Sequence, residues 1–263
     1  WECQVRISFI LEKPYTSDII KDRCPTGDKK EVFMLGIIGA MDEEVSRLKE
    51  KLTDVQVETR AAMDFYKGRL DGKDVVVVRS GIGKVNAAMC TQILADIYKV
   101  EGIVNTGIAG SLKAEINIGD IVLSDDALQH DVDASGFGYA VGQIPRVDTL
   151  AFEADGKLVQ LAKECCARVN PDIHTFVGRV VTGDQFISDK GKKQWLVETF
   201  AGYCTEMEGA AIAQACYLNS IPFLIVRAIS DKADDSATVD YPAFEAKAIT
   251  HSVNLLMEMI RSY

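Results

Sequence analysis

The chain has 263 residues, 48% of them apolar, which is within range for a single α/β unit and enough to bury a sizeable core. Its 29 basic and 39 acidic side chains leave a net charge of −10, and nucleic-acid binders usually concentrate positive charge, so no nucleic-acid partner is expected. No apolar run reaches the roughly 18 residues that a membrane helix needs, so no membrane association is expected either.

Residues 1–33 differ in character from the rest of the chain: Pro14 and Pro25 interrupt them, Gly27-Asp28-Lys29-Lys30 is a charged turn, and they lack the basic start and apolar core of a signal peptide. They are expected to be an appendage to a domain spanning 34–263, with Met34 a natural initiator. From Val32 the run Val-Phe-Met-Leu-Gly-Ile-Ile-Gly-Ala-Met is continuously apolar, as a strand covered on both faces should be. Asp42-Glu43-Glu44-Val45 then opens a helix with its acids at the positive end of the dipole. Strand-like runs come next at 64–70 and 74–79, and Ser80-Gly81-Ile82-Gly83-Lys84-Val85 turns into a helix over 86–98.

A second buried strand, 102–110, ends in the turn Gly107-Ile108-Ala109-Gly110, and a third covers 120–125. The stretch 129–146, rich in Gly, Asp and aromatics, reads as a loop carrying Phe137 and Tyr139. A helix over 157–169 and a strand over 175–182 lead to Gly183-Asp184-Gln185-Phe186-Ile187. Then comes Cys204-Thr205-Glu206-Met207-Glu208, whose paired acids precede a run of Gly and Ala suited to a closely packed helix. A strand over 222–229 runs into Ser230-Asp231, and an amphipathic helix over 242–263 closes the chain. This alternation without repeats predicts an α/β fold with a parallel or mixed sheet. In such a sheet the polar residues just past strand ends line the ligand crevice, which nominates Glu44, the 80–84 and 107–110 turns, Phe186 and Ile187, Glu206 and Glu208, and Asp231.

The turn at 80–84 is a poor phosphate loop, because it lacks the four residues between Gly and Gly-Lys and Lys84 is followed by Val85 rather than Ser or Thr. Seven cysteines, odd in number and without a C-x-x-C pair, suit a reduced, cytoplasmic compartment, and Cys90, Cys204 and Cys216 read as core. His130, His174 and His251 lack the i, i+4 spacing of a zinc site, so no metal is expected. Glu44, Glu208 and Asp231 are individually ordinary surface acids. Three carboxylates after three strands, however, suit a reaction with a cationic transition state and proton transfers, such as cleavage of a glycosidic bond through an oxocarbenium ion.

Seven segments carry a resemblance to a known family: 36–45 (Gly-Ile-Ile-Gly-Ala-Met-Asp-Glu-Glu-Val), 80–85, Asn-Thr-Gly-Ile-Ala-Gly at 105–110, His-Asp-Val-Asp at 130–133, Phe-Gly-Tyr at 137–139, Glu-Met-Glu at 206–208 and Arg-Ala-Ile-Ser-Asp at 227–231. In that order they resemble the bacterial 5′-methylthioadenosine/S-adenosylhomocysteine nucleosidases over about 34–262. The resemblance implies a three-layer αβα sandwich with a central mixed sheet, nucleoside phosphorylase-like; a homodimer; no cofactor; and irreversible hydrolysis to adenine and a thioribose sugar. It implies that Glu44 activates water, Glu208 holds the ribose hydroxyls, Asp231 protonates adenine N7 and Ser230 supports it. Phe186 would stack on the base, the Ile187 backbone would meet its edge, and Met207 would lie against the sugar. Met41, Ile82, Ala109, Gly110, Glu206 and Tyr241 would complete the pocket, with Ile108 standing where many relatives have Ser. Phe137, Tyr139 and Pro145 would wall the 5′-alkylthio group, partly from the second subunit. Rival readings are a related purine nucleoside hydrolase or phosphorylase and a nucleoside-binding sensor without turnover.

Overall fold

The computed structural model describes residues 34–263, so the expectation that 1–33 form an appendage lies outside the described residues. The elements run β1 (Met34–Gly39), α1 (Asp42–Lys49), β2 (Thr53–Arg60), β3 (Met63–Leu70), β4 (Lys73–Arg79), α2 (Lys84–Ile93), β5 (Gly102–Ser111), β6 (Ile121–Gln129), β7 (Phe152–Glu153), α3 (Gly156–Val169), β8 (Thr175–Thr182), α4 (Lys190–Phe200), β9 (Cys204–Glu206), α5 (Gly209–Asn219), β10 (Phe223–Asp231) and α6 (Ala237–Ser262). One mixed sheet holds all the strands. β1 pairs in parallel with β4 and β5, which explains its unbroken apolar run: helices cover both of its faces and Ile37 and Ile38 are fully buried.

Strand residues alternate between two cores. Leu35 and Ile37 face a layer formed by α1, α3 and α6, where they join Val45, Leu48, Leu158 and Leu256. Ile38, Val76 and Val78 face α2 and α5 and join Ala87, Cys90, Ala213 and Cys216. This is the expected three-layer arrangement. The Gly and Ala run of α5 is nearly all buried, because small side chains let the helix sit close on the sheet.

On one side the sheet ends in the antiparallel strands β3 and β2. On the other it closes into a ring, since β5 pairs with both β10 and β9, β10 with β6, β6 with β8, and β8 with β9. The ring was not legible in the sequence, because the three residues of β9 are too few to show a period. Other boundaries moved. α2 starts two residues before the predicted helix and gives way at Leu94 to a π-helical turn; the predicted 120–125 strand extends to Gln129; and α6 begins at Ala237, ahead of the predicted 242.

Candidate active site

The ends of β1, β4, β5, β9 and β10 converge on one cavity of about 550 Å³, within the usual range for small-ligand pockets. Its lining includes Met41, Glu44, Ile82, Ile108, Ala109, Gly110, Phe186, Glu206, Met207, Glu208, Ser230, Asp231 and Tyr241, so the structure brings together thirteen of the sequence-nominated residues. Ile187 borders a small side chamber shared with Gln185, Phe186 and Asp231. Phe137, Tyr139 and Pro145 are not in the lining; Phe137 is 88% exposed beyond β6. Thr205 and Thr238 also line the cavity and were not nominated.

Glu44 owes its position to the start of α1. As the third helical residue it folds back, and Oε2 accepts from the backbone N–H of Ala40 at 2.6 Å and Met41 at 3.0 Å, donors that the helix itself leaves unpaired. Its Oε1 accepts from the Ile108 N–H at 3.3 Å, which ties α1 to the end of β5. Gly107 makes the approach possible: a Cβ there would stand 2.7 Å from Glu44 Oε1 and 2.3 Å from Arg227 Nη1. Burial raises the Glu44 carboxyl above its ordinary range, against the pull of Arg227 and of the three N–H groups.

Arg227 was missed as a site residue, although the signal was visible: one cation inside the apolar run 223–229 of β10. It is buried to 1% exposure and binds Glu206 through both Nε and Nη2, while Nη2 also donates to Asn105 Oδ1 at 2.6 Å. Glu206 is saturated. Its Oε2 accepts from the Glu208 N–H at 3.1 Å and the Gly209 N–H at 2.7 Å, where α5 begins, and its Oε1 accepts from the Thr182 hydroxyl. Glu206 therefore neutralises Arg227 and caps a helix, and the freer carboxylate of the pair is Glu208.

Glu208 Oε1 accepts from the Gly83 N–H at 2.9 Å, and its Oε2 lies 3.7 Å from Arg227 Nη2. Burial first, and then the charge of Glu206, push its carboxyl up to about 7, with Arg227 and the Gly83 N–H opposing. Lys84, the cation of the 80–84 turn, is occupied elsewhere: Nζ donates to Asp131 at 2.6 Å and to Gln129 at 3.0 Å. Among the described residues that line the cavity there is no Lys or Arg.

Asp231 sits where the β10–β5 register shifts between Ile229 and Asp231, an irregularity that re-aims side chains at a strand end. Ser230 Oγ donates to its Oδ2 at 2.9 Å and the Ala233 N–H to its Oδ1 at 2.7 Å. Burial raises its carboxyl; Asp240 and Asp234 add to the rise. Glu44 and Asp231 thus shift in the same direction against opposing hydrogen bonds, three N–H groups at Glu44 and the Ala233 N–H and Ser230 hydroxyl at Asp231; what differs is the neighbouring charge, a guanidinium at Glu44 and acids at Asp231. Opposite, Phe186 and Tyr241 meet edge to face with ring centroids 6.0 Å apart, and the Tyr241 hydroxyl lies 3.4 Å from Met41 Sδ.

A closed mixed sheet with carboxylates at its strand ends defines a class, and residues 34–261 match the Phosphorylase superfamily. A 5′-methylthioadenosine/S-adenosylhomocysteine nucleosidase of Bacillus thuringiensis (strain Al Hakam) is 41% identical over 227 residues, covering 86% of this chain and 97% of its own. The crystal structure of such a nucleosidase from Colwellia psychrerythraea 34H in complex with adenine superposes with a TM-score of 0.84 at 41% identity, covering 88% of this chain and 95% of that one. The Neisseria meningitidis nucleosidase in complex with methylthio-immucillin-A gives a TM-score of 0.84 at 35% identity, over 88% and 99% of the two chains. The chain belongs to the family of 5′-methylthioadenosine/S-adenosylhomocysteine nucleosidases.

Proposed function

We propose that this protein hydrolyses the N-glycosidic bond of 5′-methylthioadenosine and S-adenosylhomocysteine, and also of 5′-deoxyadenosine, to adenine and the corresponding sugar. The observation that carries this is the convergence of Glu44, Glu208 and Asp231 on one cavity, in a chain 41% identical to a 5′-methylthioadenosine/S-adenosylhomocysteine nucleosidase. Adenine leaves poorly as an anion, so Asp231, raised by burial, delivers a proton to N7 as the C1′–N9 bond lengthens. Positive charge grows on the ribose ring beside Glu208, which also holds the ribose hydroxyls. Glu44 takes a proton from the water that adds its oxygen to C1′.

Phe186 stacks on the base, the Ile187 backbone meets its edge, and Met207 packs on the sugar. Phosphorolysis would require cations around a phosphate; Lys84 is held by Asp131 and Gln129, and Glu44 would repel a dianion. A sensor without turnover is disfavoured, since the absence of Glu44 or Asp231 would have pointed to it and both are present. The products suit methionine salvage and the recycling of S-adenosylmethionine by-products, and the unpaired thiols suit a cytoplasmic enzyme.

The active unit is a symmetric homodimer in which Phe137, Tyr139 and Pro145 of each subunit wall the other's 5′-alkylthio site. Supporting this, Val85 (70% exposed), Met89 (45%) and Leu218 (66%) form an apolar face where α2 meets α5. The catalytic domain is 34–263, and a chain begun at Met34 should keep its adenine release. The deciding experiment is adenine release from each of the three nucleosides without phosphate. Hydrolysis of all three is expected; a strict phosphate requirement would overturn the reading.

A further inference from the structure

The turn that follows Asp231 is fastened from outside the cavity by two lysines. Ala233 is fully buried with φ +51°, a left-handed conformation that a residue bearing a Cβ adopts only when its surroundings impose it. From that conformation its N–H reaches Asp231 Oδ1 at 2.7 Å. A Cβ on Gly110 would stand 2.8 Å from the Ala233 Cβ, so the turn is seated directly on the end of β5. Lys232 Nζ donates to the Ile116 carbonyl and, at 3.4 Å, to that of Ala114. Lys193, in the first turn of α4, brings Nζ to 2.5 Å from the Lys232 carbonyl and 3.6 Å from Asp234, whose Oδ1 accepts from the Ser236 N–H at 3.1 Å just before α6.

Lys193 and Asp234 are largely covered, at 20% and 24% side-chain exposure. The neighbouring Lys190–Asp235 pair, in direct contact at 2.9 Å but 71% and 62% exposed, bridges the same two segments at the surface and contributes little. Lys193 also follows Phe186 and Ile187 closely in the chain, so one side chain joins the segment that walls the base to the turn that aims the acid.

We propose that Lys193 is a positioning residue for proton delivery to the leaving base: by fixing the Lys232 carbonyl and Asp234 it keeps Ala233 in the turn whose N–H orients the Asp231 carboxyl. The inference rests on the reading of Asp231 as the general acid. Adenine needs a proton to leave, whereas p-nitrophenol leaves as an anion, so the two leaving groups separate aim from general integrity. The assay compares 5′-methylthioadenosine with the p-nitrophenyl β-glycoside of 5-methylthioribose in the wild type and in Lys193→Met, Lys193→Gln, Lys193→Arg, Lys190→Met and Asp231→Asn.

Lys193→Met is expected to lower kcat for adenine release roughly ten- to hundredfold, the scale of a small misplacement of a reacting group, with KM and p-nitrophenolate release near wild type. Lys193→Gln, which keeps a donor, should lie between; Lys193→Arg should recover most of the rate; Lys190→Met should match wild type. Equal slowing of both substrates in Lys193→Met and Lys193→Gln, or wild-type adenine release in both, overturns the proposal. Asp231→Asn decides the underlying reading separately: wild-type adenine release there removes the acid assignment whatever Lys193 does.

Discussion

Replacing Arg227 with Met should be the most destabilising single change in the site. The side chain is buried to 1% exposure, and its guanidinium binds Glu206 through Nε and Nη2 and Asn105 Oδ1 at 2.6 Å. Met fills much of the same space but removes the charge, leaving Glu206 buried with its Thr182 hydroxyl and two backbone N–H groups and no counter-ion. Breaking one partner out of a buried pair costs about 3–5 kcal/mol, and for a domain of this size about 2–4 °C of Tm goes with each kcal/mol. The expected fall in Tm is therefore about 6–20 °C. Glu206→Gln in the same chain removes the stranded charge while keeping an acceptor for the N–H groups of Glu208 and Gly209, so the double variant should regain half or more of the loss. Urea midpoints at constant m-value measure all four corners of the cycle. A loss under about 1 kcal/mol in Arg227→Met, or additive losses in the double variant, would refute the assignment of Glu206 as the counter-ion.

The acids should separate by role. Asp231→Asn and Glu44→Gln should each lose roughly two to four orders of magnitude in turnover while still binding a non-hydrolysable adenosine analogue; single-turnover rates beside ligand titration check this, and wild-type turnover in either would contradict the acid–base roles. Glu208→Gln should weaken binding as well as slow the chemistry. Its carboxyl also gives a pH signature. Folding raises it from about 4.5 to about 7, so the stabilisation by its protonated form is complete below pH 4.5 and is lost as pH rises towards 7. The Tm of the unliganded wild type should therefore fall relative to that of Glu208→Gln across this window, and parallel profiles would show that burial does not perturb the group. Light scattering should show a dimer, and Met89→Asp should dissociate it with loss of activity; a fully active monomer would remove the shared 5′ wall.

Much of the site was legible because its residues sit at strand ends, where apolar runs stop abruptly: Glu44 after β1, the 107–110 turn at the end of β5, and Asp231 at the end of β10. β1, β5 and β10 were legible because burial on both faces leaves continuous apolar runs, and β3 because its buried and exposed residues alternate. β2 was not, because every residue from Thr53 to Arg60 is exposed and an edge strand without a buried face carries no period. α4 was also missed. Its Lys-rich first turn reads as solvated surface, yet Lys193 is largely covered through pairing with Asp234, a partner distant in sequence. Arg227 shows the complementary failure: the sequence displays a lone cation in a buried strand, but only the fold reveals that Glu206 neutralises it and so leaves Glu208 as the freer acid beside the cavity.

If Glu44 takes a proton from the attacking nucleophile, that nucleophile at C1′ is water. Turnover of 5′-methylthioadenosine in ¹⁸O-labelled water with phosphate present tests it directly, by mass spectrometry of both products under single-turnover conditions. One labelled oxygen is expected in the methylthioribose, none in adenine, and no sugar phosphate. Unlabelled sugar emerging as a 1-phosphate would contradict it.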